Sequence, residues 1–328
     1  MPSKFGEGIL SNNKNLILAL DLGGTNFRLA LANEKGEILR YVKAPVESPN
    51  EPEQAIKQIK QSISDMLSET ERASLRGMGI AIAGLVTQDT GVLLTSPNLL
   101  VWYNTPVKDI FEKELNLPVW VGNDANLAAL GEHRFGAGRG CNDLVYITVS
   151  TGIGGGVITG GRLLLGSCGF AAEVGHMTID INGPKCNCGN TGCLEMLASG
   201  TAIARMAVDR LSKGKSSLIP KLVDGDLREV NAEVVERAAR MDDDMAKEIM
   251  HTAGINLGIG VVNLVHLFNP ELIIIGGGVS KSGDLIFEPV RRVVAERVMP
   301  DIKVRITTPE LGDNPGLLGA VALVLDNT

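Results

Sequence analysis

Two stretches of this chain repeat one order of events: a short apolar strand, a glycine-rich turn and a second strand. The first runs from Leu16 to Asp21, turns through Asp21-Leu22-Gly23-Gly24-Thr25-Asn26, and resumes from Phe27 to Ala32. The second runs from Asp143 to Val149, turns through Ser150 to Gly156, and resumes from Val157 to Thr159. A third glycine run, Gly276-Gly277-Gly278, closes an apolar strand from Leu272 to Ile275. Glycine lets backbone N–H groups approach an anion closely, and the hydroxyls of Thr25 and Thr151 add donors. One such turn reads equally well as a plain hairpin. Three, each after a strand, point to phosphate. No lysine follows in a P-loop arrangement, so this is not a Walker A site.

The nucleotide-binding candidates are therefore Asp21, Gly23, Gly24, Thr25, Asn26, Thr151, Gly152, Gly154, Gly277 and Gly278. Asp21, at a strand end, is placed to hold Mg²⁺ through water; hydrogen bonding within the turn is its plainer role. The repeat is one of organisation and not of residue identity. It implies two α/β halves.

The length agrees: 328 residues suit about two domains of roughly 150 each. The expected division is a small lobe over 1–120, completed by a C-terminal helix at 316–328, and a large lobe over 121–315. Apolar residues at Ile56, Ile59, Ile63, Met66 and Leu67 predict a helix from Pro52 to about Thr70. Further helices are expected near 200–212, 242–267, 283–298 and 316–325.

A net charge of −7 and only 4% aromatic residues disfavour nucleic acid as a partner. The run Leu16–Leu20 is too short to span a membrane, and Met1 to Glu7 carries no apolar signal core. The expectation is a cytoplasmic protein without a membrane partner.

Asn123-Asp124 follows an expected strand from Pro118 to Val121 and precedes the helical pattern from Ala125 to His133. Open α/β folds place ligands at such corners. Taken alone, Asp124 reads as a helix N-cap. It is also a carboxylate able to take a proton from a phosphoryl acceptor, with Asn123 beside it to orient that hydroxyl.

Of five cysteines, Cys186, Cys188 and Cys193 crowd together, ten residues and more after His176. An odd count argues against a disulfide framework. One histidine and three cysteines suit a closed tetrahedral Zn²⁺ site, which is structural because protein fills all four positions. Cys141 and Cys168 read as plain buried residues.

Together these motifs resemble the ROK family of bacterial sugar kinases and repressors, from Leu16 to about Leu325. The phosphate turns, Gly122-Asn123-Asp124, Glu173-Val174-Gly175-His176 and the cysteine loop occur in family order. The resemblance implies an actin/hexokinase-like (ribonuclease H-like) α/β fold with a ligand cleft between two lobes. It implies ATP-dependent phosphorylation of a hexose 6-hydroxyl, with ATP and Mg²⁺ as cofactors, Zn²⁺ in the structural site, and glucose favoured over N-acetylmannosamine, N-acetylglucosamine, fructose or allose. Asp124 matches the family's catalytic base. Asn123, Glu173, His176 and Glu195 match the residues that bind sugar hydroxyls, and Gly84 and Asn98 match loops that close on the sugar. The family's repressors carry an N-terminal helix-turn-helix domain. About fifteen residues precede the first strand here, so a kinase is expected over a sugar-binding regulator. Family kinship also suggests a homodimer or homotetramer.

Overall fold

The computed structural model describes residues 16–328; the leader before them, with the reading that it holds no signal segment, lies outside that range. The chain divides into two compact units, with boundaries after Leu127 and before Gly316.

The first unit opens with an antiparallel meander of β1 (Leu16–Leu22), β2 (Asn26–Ala32) and β3 (Ile38–Pro45). Helices α1 (Pro52–Met66) and α2 (Glu69–Ala73) follow. Then come β4 (Leu75–Ile82), a small hairpin of β5 (Leu85–Val86) and β6 (Leu93–Thr95), α3 (Val107–Leu115), β7 (Val119–Asn123) and the first turn of α4 (Asp124–Phe135), which from Ala128 belongs to the second unit. Its sheet has the order β3-β2-β1-β4-β7, with β1, β4 and β7 parallel.

The second unit holds β8 (Leu144–Val149), β9 (Ile153–Thr159) and β10 (Arg162–Leu163), again an antiparallel meander. It continues with α5 (Leu194–Ala198), α6 (Gly200–Ser212), α7 (Ile219–Leu222), α8 (Ala232–Arg240) and α9 (Asp244–Phe268). Next are β11 (Leu272–Gly276), α10 (Asp284–Arg297) and β12 (Arg305–Thr307). The last helix, α11 (Pro315–Asn327), returns to the first unit. The second sheet has the order β10-β9-β8-β11-β12, with β8, β11 and β12 parallel. Order and strand direction thus repeat between the two sheets.

Several elements depart from the sequence reading. The helix expected to Thr70 stops at Met66, because Leu67 is extended and Ser68 opens α2 with a reciprocal capping box to Glu71. The glycine turn expected to reach Gly156 ends at Gly152. Gly154, Gly155 and Gly156 lie in β9, paired with Thr148, Ile147 and Tyr146. Gly155 serves close packing there: a Cβ on it would sit 2.6 Å from the Val174 side chain. The boundary expected at residue 120 would cut β7. That strand pairs with β4, so the first unit extends to Leu127.

Each unit has its own apolar core. In the first, Ala55, Ile56, Ile59, Ile63 and Met66 of α1 pack with Leu18, Leu20, Leu29 and Phe27. In the second, α9 is the central helix; it is long and apolar enough to cross a membrane by length and composition, but half of its most apolar stretch is buried in the unit. No other described helix meets that test.

Helix α11 seats on the first unit by backbone contact. A Cβ on Gly319 would lie 1.7 Å from the Leu127 carbonyl oxygen, and one on Gly79 of β4 would lie 2.0 Å from that of Ala320. Neither carbonyl can swing aside as a side chain could. Gly319→Ala is therefore expected to cost about 1–3 kcal/mol by overpacking. Calorimetry should show a lowered Tm, whereas an unchanged Tm would mean the helix seats elsewhere.

Candidate functional site

The parallel strands β1, β4 and β7 end side by side. Register pairs Asp21 with Ala81, and Ile82 with Asn123. Asp21, the Gly84 turn and Asn123-Asp124 therefore share the carboxyl-terminal edge of the first sheet, where open α/β sheets collect ligands.

At that edge the β1–β2 turn is closed by one bond, from Gly23 N–H to the Asn26 carbonyl at 3.0 Å. Among the described residues, the N–H groups of Gly24 and Thr25 have no protein acceptor. Two adjacent open N–H groups form a concavity for an anion. A Cβ on Gly24 would meet the Asn98 carbonyl oxygen at 2.4 Å, so the turn rests on the Asn98 loop. That loop is itself held by the buried Ser96 hydroxyl, which accepts the Asn98 and Leu99 N–H groups. Thr25, Asn26 and Asn98 are exposed.

Asp21 pairs with Arg28 directly across the hairpin, Nη1 to Oδ2 at 2.7 Å. Burial pushes the Asp21 carboxyl above the usual range, and Arg28 opposes that shift. The Oδ1 oxygen is a hard donor suited to a hydrated Mg²⁺.

Asn123 is the cap of α4. Its Oδ1 accepts the N–H groups of Ala125 and Asn126, both at 3.0 Å, while its Nδ2 donates to the Gly84 carbonyl at 3.1 Å. The cap that Asp124 taken alone suggests therefore falls to Asn123: Asp124 is the first helical residue, half-buried, its Oδ1 also 2.9 Å from the Ala125 N–H. It also limits Asn123, whose carbonyl is fully engaged, to donating one remaining amide hydrogen to a ligand.

In the second unit the corresponding turn is Ser150-Thr151-Gly152. Ser150 N–H donates to the Gly152 carbonyl at 2.9 Å, and the Thr151 and Gly152 N–H groups have no protein acceptor among the described residues. Gly277 and Gly278 adjoin this turn, since a Cβ on Gly277 would lie 2.3 Å from the Val149 carbonyl oxygen.

Glu195, in the first turn of α5, reaches the same place. Its Oε2 accepts the Ile153 N–H at 2.8 Å and lies where a Gly152 Cβ would be, 2.3 Å away. One of its two oxygens is thus committed to the turn, which the sequence reading did not foresee. Glu173 precedes, and His176 ends, a short 3₁₀ turn packed on β9. Ala172, just before them, has φ +66°, a left-handed conformation that costs energy in a residue with a Cβ. Glu173 is exposed, yet the protein around its carboxyl raises its pKa. His176 counters that rise and Glu195 adds to it.

His176, Cys186, Cys188 and Cys193 converge, with ligand atoms all within 4.8 Å of one another. Cys188 Sγ lies 3.7 Å from Cys193 Sγ, and Cys186 Sγ lies 3.7 Å from His176 Nδ1. Zn–S bonds of about 2.3 Å give a tetrahedral edge of about 3.8 Å, so the spacing fits a zinc ion. It is far too long for a disulfide, at about 2.05 Å. Burial pushes the Cys193 thiol up to about 12, while backbone donation from Asn190 lowers Cys188.

One buried acid was not anticipated. Glu132, fully buried on α4, accepts N–H groups from Ala137, Glu310 and Leu311 at 2.8, 3.1 and 2.9 Å. In sequence it is an ordinary helical glutamate, and nothing marks its loop partners.

The sequence profile of the ROK family matches residues 17–327. The glucokinase of Thermotoga maritima is 39% identical over 310 residues, covering 94% of this chain and 96% of that protein. The xylose repressor of Caldicellulosiruptor bescii is 32% identical, covering 97% of this chain and 81% of the repressor. Among solved structures, a ROK family glucokinase from Streptomyces griseus in complex with glucose and AMPPNP superposes with a TM-score of 0.81. It is 34% identical, covering 95% of this chain and all of that one.

Proposed function

The chain belongs to the ROK family, and from that membership we infer that it is an ATP-dependent sugar kinase, a glucokinase that phosphorylates the 6-hydroxyl of glucose. The observation that carries this is the whole-chain likeness to a glucokinase solved with glucose and an ATP analogue bound. Its actin/hexokinase-like fold is shared with that enzyme.

The roles of the residues follow from their local geometry. The open N–H pairs of Gly24–Thr25 and Thr151–Gly152 suit phosphate oxygens, with the adenosine end near Gly277–Gly278. Asp124 accepts the proton of the 6-hydroxyl as that oxygen forms its bond to the γ-phosphorus and the bond to the bridging oxygen of ADP breaks. Asn123 offers its second amide hydrogen to the sugar, and Gly84 and Asn98 shape the loops beside it. In the second unit Glu173, His176 and the uncommitted oxygen of Glu195 hydrogen-bond the other hydroxyls. Asp21 would hold Mg²⁺ through water, a cation that would offset phosphate charge. His176, Cys186, Cys188 and Cys193 would hold a structural Zn²⁺, which would order their loop. Nδ1 faces Cys186, so it is the ring nitrogen that would hold the metal; the ring hydrogen would then sit on Nε2 and make His176 a donor toward sugar. On the same kinship we place the enzyme in the cytoplasm as a soluble homodimer or homotetramer.

The test is a coupled ADP-release assay with MgATP across glucose, mannose, fructose, allose, N-acetylglucosamine and N-acetylmannosamine. The expected result is the highest kcat/KM for glucose. A preference for another sugar would keep the chemistry and change the acceptor. The repressor likeness supplies the second reading, a sugar-responsive regulator. Inactive, folded, zinc-loaded protein that shifts DNA in a gel would replace the kinase by that reading.

A further inference from the structure

The turn that follows β8 is held from behind by the start of α6. Ser150 O accepts the Gly200 N–H at 2.7 Å. Thr151 O accepts the Thr201 hydroxyl at 2.8 Å and the Thr201 N–H at 3.3 Å. These bonds determine more than the position of two carbonyls. In a planar trans peptide the C=O and the N–H of the next residue point in opposite directions. Fixing the Ser150 carbonyl toward α6 aims the Thr151 N–H away from it. Fixing the Thr151 carbonyl does the same for the Gly152 N–H. These are the two N–H groups without a protein acceptor among the described residues.

We propose that Thr201 is a positioning residue for nucleotide phosphate: its hydroxyl locks the Thr151–Gly152 peptide so that the Gly152 N–H is aimed before the ligand arrives. A donor already aligned needs no reorganisation when charge appears in front of it. The Ser150–Thr151 peptide is held by the Gly200 backbone N–H; the Thr151–Gly152 peptide is held by the Thr201 N–H at 3.3 Å and, more closely, by the Thr201 hydroxyl at 2.8 Å, a group that substitution can remove. Neither composition nor motif singles out Thr201, an exposed residue in the first turn of a helix. The inference rests on the reading that nucleotide phosphates bind at this turn.

Thr201→Val keeps the shape of the side chain and removes the hydroxyl. Calorimetric titration of the full-length, zinc-loaded protein with AMPPNP should show Kd raised by about three- to ten-fold, the effect of losing one such hydrogen bond. In the assay, KM for MgATP should rise by a similar factor. Adenosine, which lacks phosphate, should bind the variant and the parent equally. The glucose Kd should not move, the Tm should fall by no more than a few degrees, and Thr201→Ser should restore the parent values. An unchanged AMPPNP Kd in Thr201→Val would overturn the proposal, as would a parallel loss for adenosine or glucose. The underlying reading fails separately: parent protein that binds AMPPNP no more tightly than adenosine would show that phosphate is not recognised here.

Discussion

Asp124→Asn is expected to lower kcat by about 10²- to 10⁴-fold, the usual contribution of a positioned general base. The amide keeps the size of the carboxylate and cannot take the proton. Because that interaction matters in the transition state, kcat and kcat/KM should fall together. The glucose Kd should stay within a few-fold of the parent value. Stability should hold as well, since Asn123 and not Asp124 caps α4. Rapid-quench turnover, glucose titration and a melting curve separate these effects. Near-normal turnover would remove Asp124 from its role. A large fall in Tm would reassign it to the fold.

Removing zinc, by chelation or by Cys193→Ser, should raise the glucose KM by about 10- to 100-fold, the scale on which shells around a metal affect activity. The reason is local. Cys193 is fully buried and immediately precedes α5, whose Glu195 reaches the Ile153 N–H. His176 supplies both a metal ligand and a sugar donor in the proposed site. Hydrogen exchange over residues 176–195 should accelerate at chelator concentrations that leave the melting transition in place. Elemental analysis should find stoichiometric zinc in active protein. Fully active protein without zinc would refute the assignment.

Much of this was legible in the chain because it depends on local chemistry. The convergence of His176, Cys186, Cys188 and Cys193 could be anticipated since the four lie close in sequence. The glycine turns could be located because each follows its strand directly. What was hidden depended on partners distant in sequence. Asn123 and Asp124 are adjacent and both cap helices well, and only the bonds to Ala125 and Asn126 tell them apart. Gly154 looked like part of a turn because glycine marks both turns and tight packing; its place in β9 was decided by strand pairing. Glu195 looked wholly available for sugar until Ile153, forty-two residues earlier, was seen to claim one oxygen. Glu132 and Thr201 carry no signal of their own, and each acquires its role from backbone groups that the fold brings to it.

The seating of α11 also bears on how the protein is made. The helix that covers Gly79 and Leu127 is encoded after every residue of the second unit. At 5–20 residues per second, translation of that unit takes roughly ten to forty seconds. Through that interval the first sheet has emerged from the ribosome with one apolar face still lacking its cover. The unit that begins to fold first is therefore the last to finish, and its nascent form presents a surface suited to chaperone capture.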